Sequence, residues 1–314
     1  VISYAHSIGM EVHISTQCNI SNFEAVKYYS KFADVMVTAR ELSLRQVAEI
    51  TEYIAQNDIR GPKGELVEIE VFAHGALCMA VSGKCYLSLD NYNHSANRGE
   101  CLQLCRRQYK VSDLESDIEL VVDNKYIMSP KDLCTLPFID KVLKAGVRVL
   151  KIEGRGRSAE YVKTVTHCYK EAVQAVQDGS YSQEKIAKWL EELKTVYNRG
   201  FWDGYYLGRT MGEWTERYGS QATQTKVYVG KITNYFANIN VAEIKMESSN
   251  MAVGDKIMIM GPTTGVYETD LSEIRVDLKP VPQTEKGDMC SIPTTELVRR
   301  GDKVYKIVTE IDEF

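Results

Sequence analysis

The sequence predicts an α/β fold, a partial β/α barrel of the TIM type followed by a small antiparallel β-barrel domain. Three observations predict it. Between Glu11 and Glu153 short β-rich runs alternate with amphipathic helical stretches, which is the punctuation of βα units. The runs are apolar on both faces, as strands buried in a parallel sheet must be. From Lys226 onward the pattern changes to period two, broken by Gly, Asn, Asp and Pro, as in antiparallel strands joined by turns.

The first set of strands is expected at Glu11 to Thr16, Asp34 to Ala39, Glu68 to Ala73 and Val147 to Glu153. Between them, Phe23 to Phe32, Ser43 to Ala55 and Lys131 to Ala145 carry apolar residues at helical spacing, and Gly146 closes the third as a C-cap. Two longer helices are expected at Ser158 to Gln177, with Ser158 as N-cap, and at Gln183 to Tyr197. The β-domain is expected to use Lys226 to Thr233, Ile239 to Lys245, Lys256 to Met260 and Lys303 to Val308. Residues 1–222 and 223–314 are therefore read as two domains, joined near Gly219 to Thr225. Four strands cannot close a barrel that needs eight. The chain starts at Val1, inside what reads as a helix, and the expectation is that a first half-barrel precedes it in the parent protein. Open parallel edges invite pairing, so the expectation is that either a homo-oligomer or the preceding part of the parent protein covers them.

The 314 residues, 44% apolar and 26% charged, suffice for a sizeable core. No run approaches the roughly 18 apolar residues of a membrane helix, and no signal peptide is legible. No membrane partner and a cytoplasmic location are the expectations. A net charge of −5 argues against an extensive phosphate-tracking surface. Two local clusters, Arg98 with Arg106, Arg107 and Lys110, and Lys151 with Arg155 and Arg157, could still serve an anion; a solvated charged face is the plainer reading of each.

The segment from Gly75 to Tyr126 breaks the βα rhythm and carries four of the eight cysteines. Loops of this length are usually functional. Cys78, Cys85, Cys101 and Cys134 are separated by six, fifteen and thirty-two residues, and Cys105 follows Cys101 after three. A large chain without a secretion signal uses clustered cysteines for metal or redox chemistry more than for disulfides. Wide gaps suit ligands gathered from several loops rather than zinc knuckles, yet spacing alone leaves zinc and iron–sulfur both open. Cys18, Cys168 and Cys290 read as buried free thiols.

In a β/α barrel the strand ends carry the site. Placed there are Gln17, Arg40, Glu41, His74, Lys151, Glu153 and Arg155. Cations at strand ends suit a dicarboxylate, since guanidinium grips carboxylate as a fork. Internal pairing, for example of Arg40 with Glu153, is the competing account. His74 could move a proton or be a satisfied core histidine. The chain has no Gly-x-Ser-x-Gly and no His-Glu-x-x-His, so protease chemistry has no familiar motif here. A Cys78 nucleophile beside His74 would need a free thiolate, which metal ligation forbids.

The stretch Glu70-Val-Phe-Ala-His74-Gly-Ala-Leu-Cys78-Met-Ala-Val-Ser82-Gly-Lys-Cys85 resembles the signature of the collagenase-like peptidase family U32. Asn97-Arg98-Gly99-Glu100-Cys101, Ser129-Pro-Lys-Asp-Leu-Cys134, Lys151-Ile-Glu153-Gly-Arg155 and Asn198-Arg199-Gly200 resemble further family motifs. The resemblance spans roughly residues 1 to 210. It implies the second half of a β/α barrel, and a four-iron, four-sulfur cluster on Cys78, Cys85, Cys101 and Cys134, with Cys105 as runner-up; zinc is the alternative metal. It implies an RNA hydroxylase acting on the wobble uridine of tRNA, with prephenate, a small dicarboxylate, as co-substrate. His74 and Glu153 are then the candidate catalytic residues, and Gln17, Arg40, Glu41, Arg98, Lys151 and Arg155 the candidate substrate-binding ones. The alternatives are a collagenase-like peptidase and a zinc-stapled RNA-binding protein.

Overall fold

The computed structural model describes residues 1–109, 128–208, 215 and 220–309. Lys110 and the rest of the cysteine-rich loop to Tyr126 lie outside the described residues. The chain divides into two compact units, one made of 1–155, 165–193 and 197–221, the other of 156–164, 194–196 and 222–314. Among the described residues no helix is long and apolar enough to cross a membrane.

The first unit opens with a short helix, α1 (Ile2–Ser7), none of whose residues is buried. Strands β1 (His13–Ile14), β2 (Val35–Val37) and β3 (Glu68–Ala76) then pair in parallel, with His13 opposite Val35 and Val35 opposite Glu68. Residues 69 to 75 of β3 are buried without a break, so the apolar run Ile-Glu-Val-Phe-Ala has both faces covered. Two helices fill the crossovers. Helix α2 (Phe23–Tyr29) starts where the Asn22 side chain accepts the Ala25 N–H at 2.9 Å. Helix α3 (Leu44–Gln56) starts at a capping box of Ser43 and Gln46, and buries Leu44, Val47, Ile50 and Ile54 on one face. These caps satisfy N–H groups that the first turn leaves without partners.

After a short helix, α4 (Leu87–Tyr92), the expected helix from Lys131 to Ala145 is replaced by three elements. Asp132–Cys134 is a strand, β4; Leu136–Phe138 is a 3₁₀ turn; only Ile139–Lys144, α5, is α-helical. Pro137 is the reason: it lacks an N–H and its ring clashes with the preceding turn, so a helix can begin after it but not run through it. Gly146 ends α5 at φ +83°, and a Cβ there would stand 2.6 Å from the Thr51 hydroxyl, which itself donates to the Ala145 carbonyl at 2.7 Å.

Strand β5 (Val149–Ile152) runs parallel to β3, with Glu70 opposite Val149. Helices α6 (Ala159–Gln177) and α7 (Gln183–Lys194) follow, and then β6 (Phe201–Trp202). Strand β4 pairs antiparallel with β3, placing Cys134 opposite His74, and parallel with β6. The sheet is therefore mixed. Its parallel part is β1, β2, β3 and β5, in the four places where periodicity puts them.

The second unit holds an eight-stranded antiparallel sheet. Its strands are β7 (Gln224–Phe236), β8 (Val241–Met246), β9 (Lys256–Gly261), β10 (Gly265–Asp270), β11 (Arg275–Val276), β12 (Lys279–Pro280), β13 (Met289–Pro293) and β14 (Lys303–Thr309). Their order is β10-β9-β14-β7-β8-β13-β11-β12. Strand β7 carries two irregularities, one facing β8 and one facing β14, which bend it enough to serve both neighbours. Val229, Ile232, Ile244, Ile257, Ile292 and Val304 sit at the centre of one apolar core. Strands β10 to β13 were not among the expected runs; β11 and β12, at two residues each, are too short to show a period.

Candidate functional site

Beyond the C-terminal ends of β1, β2, β3 and β5 lies a cavity of about 330 Å³. Crevices at the carboxyl ends of parallel strands are where α/β folds place their ligands. Four cysteines line it, Cys78, Cys85, Cys101 and Cys105. So do Gln17, Arg40, Arg106, Lys151, Glu153 and Arg155, with the Phe72 ring among them.

The loop carrying Cys78 and Cys85 is held by the chain that follows β2. Ser82, fully buried, gives its N–H to the Glu41 carboxylate at 2.8 Å, and its hydroxyl accepts the Arg40 N–H at 3.3 Å. Gly83 adopts φ +74°, and a Cβ on it would lie 2.9 Å from the Gln17 carbonyl oxygen; only glycine meets both demands. Asn97 donates to the Gly83 carbonyl at 3.1 Å. Glycine and small polar residues thus fold the loop back over the strand ends.

The cations gather round one ring. The Arg40 guanidinium lies 5.3 Å and the Lys151 ammonium 5.4 Å from the centroid of Phe72, a favourable cation–π arrangement. Lys151 also stands 3.6 Å from the Glu70 carboxylate and donates to the Ser15 hydroxyl at 3.2 Å. Glu153 accepts the Arg155 backbone N–H at 2.8 Å.

Several expected residues are placed elsewhere. Glu41 is not in the cavity wall; its carboxylate is spent on Ser82. Arg98 lies in the 3₁₀ turn Ala96–Arg98, outside the wall, and its neighbour Asn97 faces the cavity instead. His74 is 1% exposed. Its ring packs against Tyr169 and Phe201, at 5.6 and 5.5 Å between centroids, and its Nδ1 is 3.4 Å from the Tyr169 hydroxyl. Strict alternation would put His74 on the same face as Phe72 and Ala76, which line the cavity. The register irregularity between Phe72 and His74 re-aims the imidazole, as bulges do.

Cys134 is the other departure. It is buried in β4, away from the cavity wall, and the Tyr169 hydroxyl lies 3.9 Å from its sulfur. Burial pushes its thiol up to about 11, against a partial pull from the Leu136 backbone and Tyr169. Its expected place is taken by Cys105. That thiol is pushed up to about 11 as well, first by burial; Arg106 beside it pulls down, while Cys78, Cys101 and Cys85 push up. The family resemblance, which made Cys105 the runner-up, was the signal for it. Arg106 was legible only as one of a basic cluster with Arg98, Arg107 and Lys110, and Phe72 carried no signal of its own.

Soft thiolates suit zinc, copper(I) or iron–sulfur clusters. A single zinc ion, with Zn–S bonds of about 2.3 Å, needs its sulfurs packed within about 4 Å of one another. Among the described residues no three Cys, His, Asp or Glu side chains are close enough to hold one metal ion. Cys78, Cys85, Cys101 and Cys105 line one cavity, and four cysteine thiolates are the ligand type and number that iron–sulfur clusters use.

The chain is 59% identical over 303 residues to a protein named collagenase from Porphyromonas gingivalis strain W83, covering 96% of this chain and 73% of that protein. A second Porphyromonas gingivalis protein of the same name is 52% identical over 314 residues, covering 97% of this chain and 83% of the relative. The tRNA hydroxylation protein P1 of Bacillus subtilis is 32% identical over 259 residues, covering 81% of this chain and 58% of the relative. Residues 1–216 match the family described as peptidase family U32, and the chain, with its cysteine-lined cavity at the strand ends, belongs to that family.

Proposed function

We propose that the chain is an RNA-hydroxylating enzyme in which Cys78, Cys85, Cys101 and Cys105 hold a four-iron, four-sulfur cluster beside a seat for a dicarboxylate such as prephenate. One observation carries the reading: four thiols and the cations Arg40, Lys151 and Arg155 line a single cavity. The likeness to a tRNA hydroxylation protein supports tRNA as the substrate class. The parallel strands β1, β2, β3 and β5 are read as half of a β/α barrel, and the second unit as a small β-barrel domain.

When bound, the cluster supplies one-electron redox chemistry and an iron Lewis acid. The protein's own part is binding and orientation. Arg40 and Arg155 grip a carboxylate as forks and Lys151 adds a point charge. Phe72 gives the carbon skeleton an apolar floor, and Glu153 at the wall is placed to act as a proton acceptor. Holding the co-substrate in place turns an encounter into an intramolecular step.

The test is purification without oxygen, iron and sulfide analysis, and mass spectrometry of tRNA nucleosides from cells lacking their own enzyme, with and without prephenate. A brown protein with about four irons per chain, restoring a hydroxylated uridine only with prephenate, is the expected result. A colourless protein, or modification independent of the cysteines, overturns it. The collagenase name of the 59% and 52% identical relatives favours a second reading, peptide-bond hydrolysis. Gelatin cleavage that survives removal of all metal would put that reading first.

A further inference from the structure

Arg106 lines the same cavity and sits next to Cys105 in the chain. Its guanidinium donates to the Leu77 carbonyl at 2.6 Å, the Pro130 carbonyl at 2.6 Å and the Ser129 hydroxyl at 3.1 Å. These bonds tie together the 3₁₀ turn Leu104–Arg106, the end of β3 just before Cys78, and the chain entering β4. Each of the three acceptors is neutral. A largely buried guanidinium without an anion among its hydrogen-bond partners is an expensive arrangement. The nearby carboxylate, Asp132, already has Arg199 at 3.4 Å. The guanidinium thus brings its positive charge to the cavity wall that it shares with Cys78, Cys85, Cys101 and Cys105.

We infer that Arg106 is a positioning residue that supplies the built-in countercharge of the cysteine site, holding its cation against the bound anionic group and easing that group's reduction. The inference rests on the reading of Cys78, Cys85, Cys101 and Cys105 as cluster ligands. A thiolate-bound cluster is negatively charged, and net charge and hydrogen bonding set its potential. Reduction adds one electron, taken in the assay from dithionite, and neither makes nor breaks a bond at Arg106. A fixed cation nearby favours the more negative, reduced form. Arginine suits the place because its fork satisfies three oxygens from two separate segments while its charge stays constant.

The experiment is a redox titration of the anaerobically reconstituted full chain, followed by absorbance and paramagnetic resonance, for wild type, Arg106→Lys and Arg106→Gln. Iron per chain and thermal midpoint are measured alongside. Arg106→Lys, which keeps the charge and loses the fork, should be less heat-stable yet hold its potential. Arg106→Gln should keep its iron and move the oxidised-to-reduced ratio at fixed potential about tenfold toward the oxidised form, a fall of about 59 mV for one electron. An iron-loaded Arg106→Gln variant with an unchanged potential overturns the inference and leaves the cluster standing. Loss of iron in both variants makes Arg106 a structural staple only, which also overturns it. A wild-type chain that takes up no cluster refutes the reading underneath, and the inference falls with it.

Discussion

Removing the hydroxyl of Tyr169 tests how β3 and β4 are locked together. Tyr169, on α6, is 4% exposed, and burial holds its phenol well above the usual range, so it stays neutral. Its one proton goes to the Ala73 carbonyl at 2.7 Å, and its oxygen accepts the Thr135 N–H at 3.0 Å. Those two backbone groups flank His74 and Cys134. Tyr169→Phe removes both bonds but does not strand either backbone group, because the Thr135 N–H also donates to the Ala73 carbonyl at 3.0 Å. The cost should therefore stay near the value for ordinary hydrogen bonds, about 1–2 kcal/mol, rather than the larger penalty for an orphaned buried group. Urea unfolding followed by tryptophan fluorescence is the assay, since all three tryptophans precede residue 222 and report on the first unit alone. The midpoint should fall with an unchanged slope. A loss below about 0.3 kcal/mol would mean that the hydroxyl bonds contribute nothing, and one above about 4 kcal/mol would mean that the backbone pair does not survive. Iron uptake should be unaffected, because Tyr169 touches Cys134 and not the cavity thiols.

Cys105→Ala should abolish the brown chromophore and Cys134→Ala should retain it, read as iron per chain; the reverse pattern would return Cys134 to the ligand set. Gly83→Ala forces a side chain into positive φ and against the Gln17 carbonyl at 2.9 Å, so it should cost about 1–2 kcal/mol and cut iron content; an unaltered thermal midpoint would refute the strain argument. Glu171 accepts the Trp189 indole N–H at 2.8 Å, and that bond, ahead of the charge of His167, holds its carboxyl below the ordinary 4.5. A lowered folded-state value stabilises the protein above pH 4.5, and that gain is lost as the pH falls through the folded value. Wild type should therefore exceed Glu171→Gln in stability at pH 6, and the two curves should converge in acid; a gap independent of pH would remove the carboxylate from the account.

Local signals placed most elements because they act over a few residues. The run Ile69 to Ala73, apolar but for Glu70, the Ser43 cap and the Gly146 stop state their conformations without help from the rest of the chain. Pro137 was equally local, and heeding it would have split the expected helix after Lys131. The cysteine spacing pointed to one shared site, and the family motifs to its place at the strand ends. Which fourth thiol joins Cys78, Cys85 and Cys101 was not legible, because Cys105 and Cys134 differ only in where β4 pairs, and that pairing with β3 spans about sixty residues of chain. His74 shows the same limit. Its position in a period-two run points it at the cavity, and one bulge between Phe72 and His74 turns it into the core. The cysteines were thus written in the sequence, whereas the gathering of Cys78, Cys85, Cys101 and Cys105 at one cavity wall, with Arg106 beside them, was decided only when distant segments packed against one sheet.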